Sequence, residues 1–225
     1  MKKTFIQFLL SFLIVICFSP YSFSTVSKKA IEVKINSVSI PFIENKGQIS
    51  KEVKFYAKTF GGTVFITGDG NIIYSLAEFS KEKKGPKGVV IKEVFSEGKV
   101  TKNITGEKEA ITKVNIFKGK DRKKWLRDIP SFEIINLGEI HKGIEVKVKA
   151  HGNNVEKIFY VKPGASPSDI KVKVEGVEEI KRNKEGELVL KTSPGEVKFT
   201  KPIAYQEIEG RRAVSYTHLT LPTKA

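Results

Sequence analysis

Thiol groups are almost absent from this sequence, which has one cysteine, Cys17, among 225 residues. A lone thiol cannot close an intrachain disulfide and cannot supply the paired thiolates of a structural zinc site. Cys17 also lies in a segment that we expect to be cleaved off, which excludes a cysteine nucleophile from the mature chain. We therefore expect the fold to be stabilised by burial of apolar side chains.

Histidine is nearly as scarce, with His141, His151 and His218 as its only examples. Their separation does not match a compact metal-binding pair, and we interpret His141 and His151 as surface turn residues. The sequence also has no nucleophile elbow and no phosphate-binding loop. It therefore predicts no catalytic, cofactor-binding or metal-binding residue, and it favours a non-enzymatic structural or interaction module.

Acidic residues leave one enzymatic alternative open, because a polysaccharide hydrolase needs only two suitably spaced carboxylates. No spacing in the sequence selects two of them. The candidates are Asp128, Glu133, Glu139, Glu145 and Asp169.

Three large aromatic residues are predicted to lie in the core: Trp125, Phe159 and Tyr205. Trp125 is the only tryptophan, and a single large aromatic side chain is most often a core anchor. A sugar-stacking platform is the alternative role for Trp125. The sequence shows no aromatic partner for it at a useful spacing.

The N-terminus has the three-part layout of a secretory signal peptide. Lys2 and Lys3 precede an apolar run over 5–18, and small residues at 22–24 provide a cleavage site. The run is shorter than the ~20 apolar residues that cross a bilayer, so we expect no stable membrane span after cleavage. Residues 1–24 are predicted to be removed, which implies an extracellular, cell-surface or periplasmic protein. Lipidation of Cys17 is disfavoured, because Ile16 stands where a lipobox requires a small residue.

The formal net charge is +15, from 40 basic and 25 acidic residues. Many lysines alternate with apolar residues, as in 170–174, which is typical of the solvated face of a sheet. Since no nucleic-acid-binding motif accompanies the charge, we do not expect a nucleic acid partner. A salt-sensitive attraction to anionic glycans or lipopolysaccharide fits the pattern better.

Short segments of alternating apolar residues, separated by turn residues, continue through the mature chain. Such spacing predicts an all-β fold, an antiparallel β-sandwich or barrel-like sheet, over 25–213. A division into two β lobes near Gly119 is left open, because a basic turn interrupts the pattern there. The predicted strands are 31–35, 53–58, 63–67, 72–76, 89–95, 110–117, 132–137, 144–150, 155–161, 170–174, 188–191, 197–199 and 203–206.

Several unusual blocks occur together and in a fixed order. They are Pro41–Gln48, Val53–Ala57, Gly62–Thr67, Ile73–Leu76, Trp125 with Ile129-Pro130, Leu137-Gly138 with Gly143-Ile144, Gly152–Val161, Pro163–Pro167, Gly186 with Leu188, Thr192–Gly195 and Lys201–Gln206. In this order they resemble the N-terminal β domain of bacterial SBBP-repeat proteins. The resemblance covers roughly 41–212.

Members of that family are large secreted or cell-surface proteins. The resemblance implies a domain of unknown function with no catalytic residues to transfer, followed by β-propeller repeats that would be its partners. A surface glycan or another surface protein is a further expected partner. Residues 214–225 differ in kind, because Val214 to Thr223 resemble a translated sequencing adaptor. We therefore expect the native sequence to end near Ala213 and the propeller repeats to be missing.

Overall fold

A computed structural model describes residues 38–77, 88–95, 103–208 and 211–215. The predicted signal peptide, the predicted strand at 31–35 and residues 216–225 lie outside these ranges. Side chains are described up to residue 206, apart from that of Ala77.

Within the described ranges the chain forms β-strands and two short 3₁₀ turns, over Arg122–Lys124 and Pro167–Asp169. The strands are β1 (Ser39–Ile40), β2 (Phe42–Glu44), β3 (Val53–Thr59), β4 (Gly62–Thr67), β5 (Ile72–Ala77), β6 (Gly88–Phe95), β7 (Thr105–Glu109), β8 (Val114–Ile116), β9 (Leu126–Ile129), β10 (Ser131–His141), β11 (Ile144–His151), β12 (Asn154–Val161), β13 (Val172–Glu175), β14 (Glu179–Arg182), β15 (Leu188–Thr192), β16 (Gly195–Phe199), β17 (Ala204–Ile208) and β18 (Arg211–Ser215).

The prediction of an all-β, antiparallel fold is confirmed. Eleven strands form one large curled sheet in the order β1-β11-β10-β2-β3-β4-β5-β6-β13, with β12 added beside β11 and β7 beside β10. A three-stranded sheet, β14-β15-β16, and the hairpins β8–β9 and β17–β18 complete the described architecture. The long strand β10 joins the two halves of the large sheet, because it pairs with β2, β7 and β11.

Alternation in the sequence becomes alternation in burial. On β11, Ile144, Val146, Val148 and Ala150 are buried, and the residues between them are partly exposed. Side chains of successive strand residues point to opposite faces, so these four line the inner face of the curled sheet. The core is one cluster that also includes Phe42, Ile66, Ile72, Ile91 and Leu137.

The three-stranded sheet contributes to the same core. Leu190 on β15 is fully buried in the cluster, and Leu188, Val197 and Phe199 pack against it. Apolar burial of this kind is worth about 25 cal/mol per Å² of apolar surface. The small sheet is therefore held to the large sheet by its inner face.

Some sequence predictions of strands and core residues are wrong. The segment predicted as a strand over 110–117 forms one only at β8, because the preceding residues bend and Ile111 is fully exposed. Tyr205, predicted to be buried, is 44% exposed on β17. Phe159 is only partly buried, although it packs against the core through an edge-to-face contact with Phe95 at 6.2 Å.

Gly119, where a lobe boundary was left open, lies in the loop that joins the paired strands β8 and β9. In the described part of the chain, no helix has the length and apolar character needed to cross a membrane.

Candidate functional site

The β8–β9 hairpin displays aromatic and cationic side chains to solvent. Its strands pair Val114 with Ile129 and Ile116 with Leu126, so β9 has one extra residue between them. Asp128 takes up this bulge with a left-handed φ of 53°, and its N–H donates to Asn115 Oδ1 at 2.9 Å. Bulges of this kind re-aim neighbouring side chains.

The loop of the hairpin is organised by its own polar groups. Asp121 caps the 3₁₀ turn, because its Oδ1 accepts a hydrogen bond from the Lys123 N–H at 3.0 Å. The Trp125 indole Nε1–H donates to the Gly119 carbonyl oxygen at 3.2 Å. These bonds hold the indole across the loop.

Phe117 and Trp125 make an edge-to-face pair with ring centroids 5.0 Å apart. The Arg122 guanidinium lies over the Trp125 ring at 5.5 Å, and Arg127 lies 5.6 Å from the Phe117 centroid and 6.0 Å from that of Trp125. We call these four residues the aromatic–arginine cluster. Phe117 is 58% exposed, and both arginines are exposed. A cation held over an aromatic face is stabilised by the ring quadrupole.

The prediction that Trp125 is a core anchor is therefore wrong. Trp125 is only partly buried, and its aromatic partner stands eight positions earlier on the opposite side of the hairpin. Spacing along the chain did not reveal Phe117 as that partner, because the turn between them brings the two rings together.

The carboxylates considered for a hydrolase do not share one cleft in the described residues. Glu133 is exposed on β10, Asp128 occupies the bulge of the β8–β9 hairpin, and Asp169 is the last residue of a 3₁₀ turn. Only Glu139 and Glu145 are brought together, as directly paired residues on β10 and β11. Both carboxylates accept hydrogen bonds from neighbouring residues and lie close to a lysine.

Glu139 Oε1 accepts a hydrogen bond from the Gly143 N–H at 2.6 Å and faces Lys162 Nζ at 3.6 Å. Glu145 Oε1 accepts from Asn136 Nδ2 at 2.7 Å and lies 3.6 Å from Lys147 Nζ. These contacts give the two carboxylates structural roles.

The two histidines in the described chain each face one carboxylate. His141 Nδ1 lies 3.8 Å from Asp169 Oδ2, and His151 Nε2 lies 3.8 Å from Glu156 Oε2. Across the described residues, no group of three or more His, Cys, Asp or Glu side chains is placed to hold a metal ion. His218 lies outside the described residues.

A polar cluster that the sequence did not reveal crosses β7, β10 and β11. Lys147 Nζ donates to both carboxylate oxygens of Glu107 at 2.9 and 2.8 Å, and Asn136 Nδ2 donates to Glu107 Oε1 at 2.8 Å. Burial raises the pKa of Glu107, but the hydrogen bonds from Lys147 and Asn136 outweigh burial and hold that pKa below its ordinary value. The hydrogen bond to Glu107 in turn raises the pKa of Lys147. The cluster thus ties the edge strand β7 into the sheet.

A buried carboxylate is the second polar feature that the sequence did not reveal. Glu93 on β6 is 2% exposed, accepts a hydrogen bond from the Tyr74 hydroxyl at 2.7 Å and is paired with Lys157 Nζ. Lys157 Nζ also lies 4.6 Å from the centroid of the Phe199 ring. Burial, together with the charge of Glu93 and the bond to it, raises the pKa of Tyr74 well above its ordinary value. Tyr74 is therefore neutral and acts as a donor.

A surface depression of about 560 Å³ lies beside Pro41–Gln48, the first of the blocks that together resemble the SBBP-repeat proteins. The Asn45 side chain in this block donates from Nδ2 to the carbonyls of Ser50 and Val53, both at 2.8 Å, and accepts from the Gly47 N–H at 3.0 Å. Asn45 is thus occupied in holding the loop, which explains the block as a structural element. The depression is lined by Glu44, Asn45, Gly47, Ile49, Lys51, Glu52, Val53, Lys54 and Gly68.

Comparison with known proteins gives one family. No curated protein matches this sequence, and no solved structure matches it. The sequence profile of a domain of unknown function, DUF7948, matches residues 42–220. The match includes the first seven residues of 214–225, and their adaptor origin stays a prediction. Because the match covers most of the chain, the protein belongs to the DUF7948 family, a domain of unknown function.

Proposed function

We propose that this chain is a non-enzymatic structural and interaction module of an exported cell-surface protein, and that it normally precedes β-propeller repeats. The signal-like N-terminus and the resemblance to SBBP-repeat proteins support the location and the downstream partner. The aromatic–arginine cluster carries the interaction part of the proposal. Exposed aromatic and arginine side chains are the residue types that most often dominate binding energies at protein surfaces.

The hydrogen bonding of the buried polar groups supports the proposal of a structural, non-enzymatic module. In the described residues, every buried side-chain nitrogen and oxygen has a hydrogen-bond partner. Glu93, Glu107, Glu139 and Glu145 are each occupied by a lysine, an amide or a hydroxyl. A carboxylate bound in this way is a poor candidate for general acid or nucleophile, because the ionised form has no proton to donate and its lone pairs are already engaged.

A polysaccharide hydrolase is the second candidate, and the pairing of Glu139 with Glu145 favours it. Directly opposed residues of antiparallel strands have Cβ atoms about 4.5–5.5 Å apart. Retaining glycosidases place their two carboxyl groups about 5–5.5 Å apart, a separation that glutamate side chains on opposed positions can reach. The two glutamates are therefore the residues to substitute in testing for hydrolysis.

One experiment separates the two candidates. The full chain is incubated with a panel of neutral and acidic polysaccharides, and both retention on the immobilised polymer and release of new reducing ends are measured. We expect retention on part of the panel without new reducing ends. Reducing ends that appear with the wild-type chain and disappear in Glu139→Gln and Glu145→Gln would replace the proposed function with the hydrolase.

Export is tested separately, because it does not depend on the ligand. The full chain is expressed in a bacterial host, and cell fractions are examined together with the mass of the mature N-terminus. We expect an exported product cleaved after residue 24. A chain that stays in the cytoplasm with Met1 to Ser24 intact would remove the cell-surface location from the proposal.

A further inference from the structure

We propose that the aromatic–arginine cluster is a binding site for acidic polysaccharides and recognises their carboxylate or sulfate groups. The inference rests on the proposed interaction function and assigns it a site and a ligand class. The site consists of Phe117, Arg122, Trp125 and Arg127 on the β8–β9 hairpin.

The two guanidiniums are held in place without using their hydrogen-bond donors on protein acceptors. Arg122 and Arg127 lie over aromatic rings, and within the described residues neither makes an ion pair or a side-chain hydrogen bond. A guanidinium has five N–H donors in a planar fork that matches carboxylate and sulfate oxygens in pairs. Contact with a ring restricts the side chain beforehand and lowers the entropy lost on binding.

The ring of Phe117 supplies the apolar part of the site. It is more than half exposed, and it contacts the Trp125 ring and the Arg127 guanidinium. Ligand sites combine an apolar surface with a few convergent polar groups, and a sugar chain presents both C–H faces and anionic substituents. An acidic sugar therefore meets the exposed ring and the two guanidinium forks together.

The surrounding charge complements such a ligand. Residues 118–128 contain six basic residues and two acidic ones, a net charge of +4. One acid, Asp121, is used in capping the turn. A concentrated positive region raises the local concentration of an anionic polymer and speeds its association, in a manner that salt screens.

An acidic polysaccharide fits this surface better than a single-stranded nucleic acid. Nucleic acid grooves place aromatic rings in succession, so that consecutive bases stack. Here one edge-to-face pair stands alone, and the edge of its indole is bonded to Gly119. A row of stacking platforms is therefore missing from the described hairpin.

Trp125 is the only tryptophan in the chain, so its fluorescence reports directly on this site. The full chain is titrated with polygalacturonate, which presents carboxylates, with dextran sulfate, which presents sulfate esters, and with neutral dextran. A single-stranded oligonucleotide is added at matched charge and salt. We expect a saturable fluorescence change with one or both acidic polymers and none with neutral dextran, and the two acidic arms distinguish carboxylate from sulfate recognition.

Matched double variants separate a fork-specific site from general charge. Arg122→Gln with Arg127→Gln should weaken binding about tenfold or more, since a hydrogen bond to a charged group is worth roughly 1.5–3 kcal/mol. Lys123→Gln with Lys124→Gln removes the same charge from the same hairpin and should weaken binding only about twofold, as expected for exposed charges. Arg122→Lys with Arg127→Lys keeps the charge without the fork and should resemble the glutamine pair more than the wild type. Circular dichroism and the melting temperature show that each variant is folded.

Several outcomes would overturn the assignment. Equal losses in the glutamine variants of the arginines and the lysines would reduce the site to general charge. If the polymer binds without changing Trp125 fluorescence, and the arginine variants bind it as tightly as the wild type, the ligand binds elsewhere on the protein. Tighter binding to the oligonucleotide than to the acidic polymers would show that the ligand class is wrong. Failure of both acidic polymers to bind would also overturn it. None of these outcomes produces new reducing ends, which alone would replace the module with a hydrolase.

Discussion

The Tyr74 hydroxyl donates a 2.7 Å hydrogen bond to Glu93, a carboxylate buried between apolar strands. Lys157 on β12 pairs with the second oxygen of the same carboxylate and lies over the Phe199 ring of the three-stranded sheet. One buried charge thus connects β5, β6, β12 and β16. Such a group is tolerated only while its partners remain, because an unpaired charge in the interior is strongly destabilising.

Lys157→Met should lower the free energy of unfolding by about 3–5 kcal/mol, because it leaves Glu93 buried without its cation. Chemical denaturation at neutral pH measures the loss. Lys173→Met is the matched control, since Lys173 pairs with Glu175 at the surface and is largely exposed. The control should cost less than about 1 kcal/mol. Similar losses in the two variants would mean that Glu93 is not buried as described.

The Glu107–Lys147 pair should make stability depend on acid. The folded pKa of Glu107 is lowered, so its stabilising contribution is present above the unfolded pKa and is lost as pH falls through the folded pKa. Glu107→Gln should therefore show a smaller loss of stability between pH 7 and pH 3 than the wild type. The difference should be below about 1 kcal/mol, because a third of the Glu107 side chain is exposed and solvent screens it.

Glu109→Gln is the control for that measurement. Glu109 lies two residues further along β7 and pairs with Lys113 at the surface. Urea midpoints at both pH values should move in parallel with those of the wild type in this variant. If both variants lost equally less stability between pH 7 and pH 3 than the wild type, the acid dependence would come from net charge and not from the Glu107–Lys147 pair.

Two glycines with nearly the same backbone conformation differ in what surrounds them. Gly176 has a φ of +85°, and a Cβ there would meet the Val90 carbonyl oxygen at 2.1 Å. Gly164 has a φ of +86°, with nothing within 4 Å of the Cβ position. Both alanine substitutions carry the left-handed strain of about 1–2 kcal/mol. Only Gly176→Ala adds a backbone clash. Its free energy of unfolding should therefore be lower than that of Gly164→Ala by about 1–3 kcal/mol. Equal denaturation midpoints would contradict the close approach of Gly176 to Val90 on β6.

The alternating strands of the large sheet were predictable because one face of each is buried. The prediction for β11 over 144–150 agrees with the observed Ile144–His151, and the turn at Gly152 separates it from β12 as expected. Apolar alternation is a local signal with the period of a strand, so it can be read without knowledge of the neighbours.

Strands that depend on their partners were missed for the opposite reason. β7 has the sequence Thr-Gly-Glu-Lys-Glu, with no apolar residue, and it is held by pairing with β10 and by the bond between Glu107 and Lys147. The contact between Glu93 and Lys157 joins positions 64 residues apart. Neither relationship leaves a periodic trace in the sequence, because each depends on how the sheet curls.

Aromatic residues illustrate the same limit at the candidate site. Phe42 is a fully buried core residue on β2, whereas Trp125 packs against the Phe117 ring and is partly exposed to solvent. Residue type led to the prediction of burial for Trp125, whereas it led to no prediction for Phe42. Trp125 is partly exposed because it lies on the β8–β9 hairpin, and the position of that hairpin depends on tertiary structure.

Alanine substitutions of three aromatic residues should therefore rank by burial. Phe42→Ala should cost about 3–5 kcal/mol, because the ring is fully buried in the main core. Phe159→Ala should cost less than Phe42→Ala, since that ring is partly exposed beside Phe95. Trp125→Ala should leave the main unfolding transition within about 1 kcal/mol of the wild type, because the β8–β9 hairpin forms its own small sheet.

Denaturation must be followed by circular dichroism, because the Trp125 variant has no tryptophan to report. The same variant should lose affinity for acidic polysaccharides, whereas Phe159→Ala, distant in sequence from the hairpin and packed on the core, should retain it. The aromatic residues would then fall into two groups, one that stabilises the fold and one that binds the ligand. If Trp125→Ala unfolded the domain as severely as Phe42→Ala, the indole would be a core residue after all, and the aromatic–arginine cluster would have to be reassigned to packing.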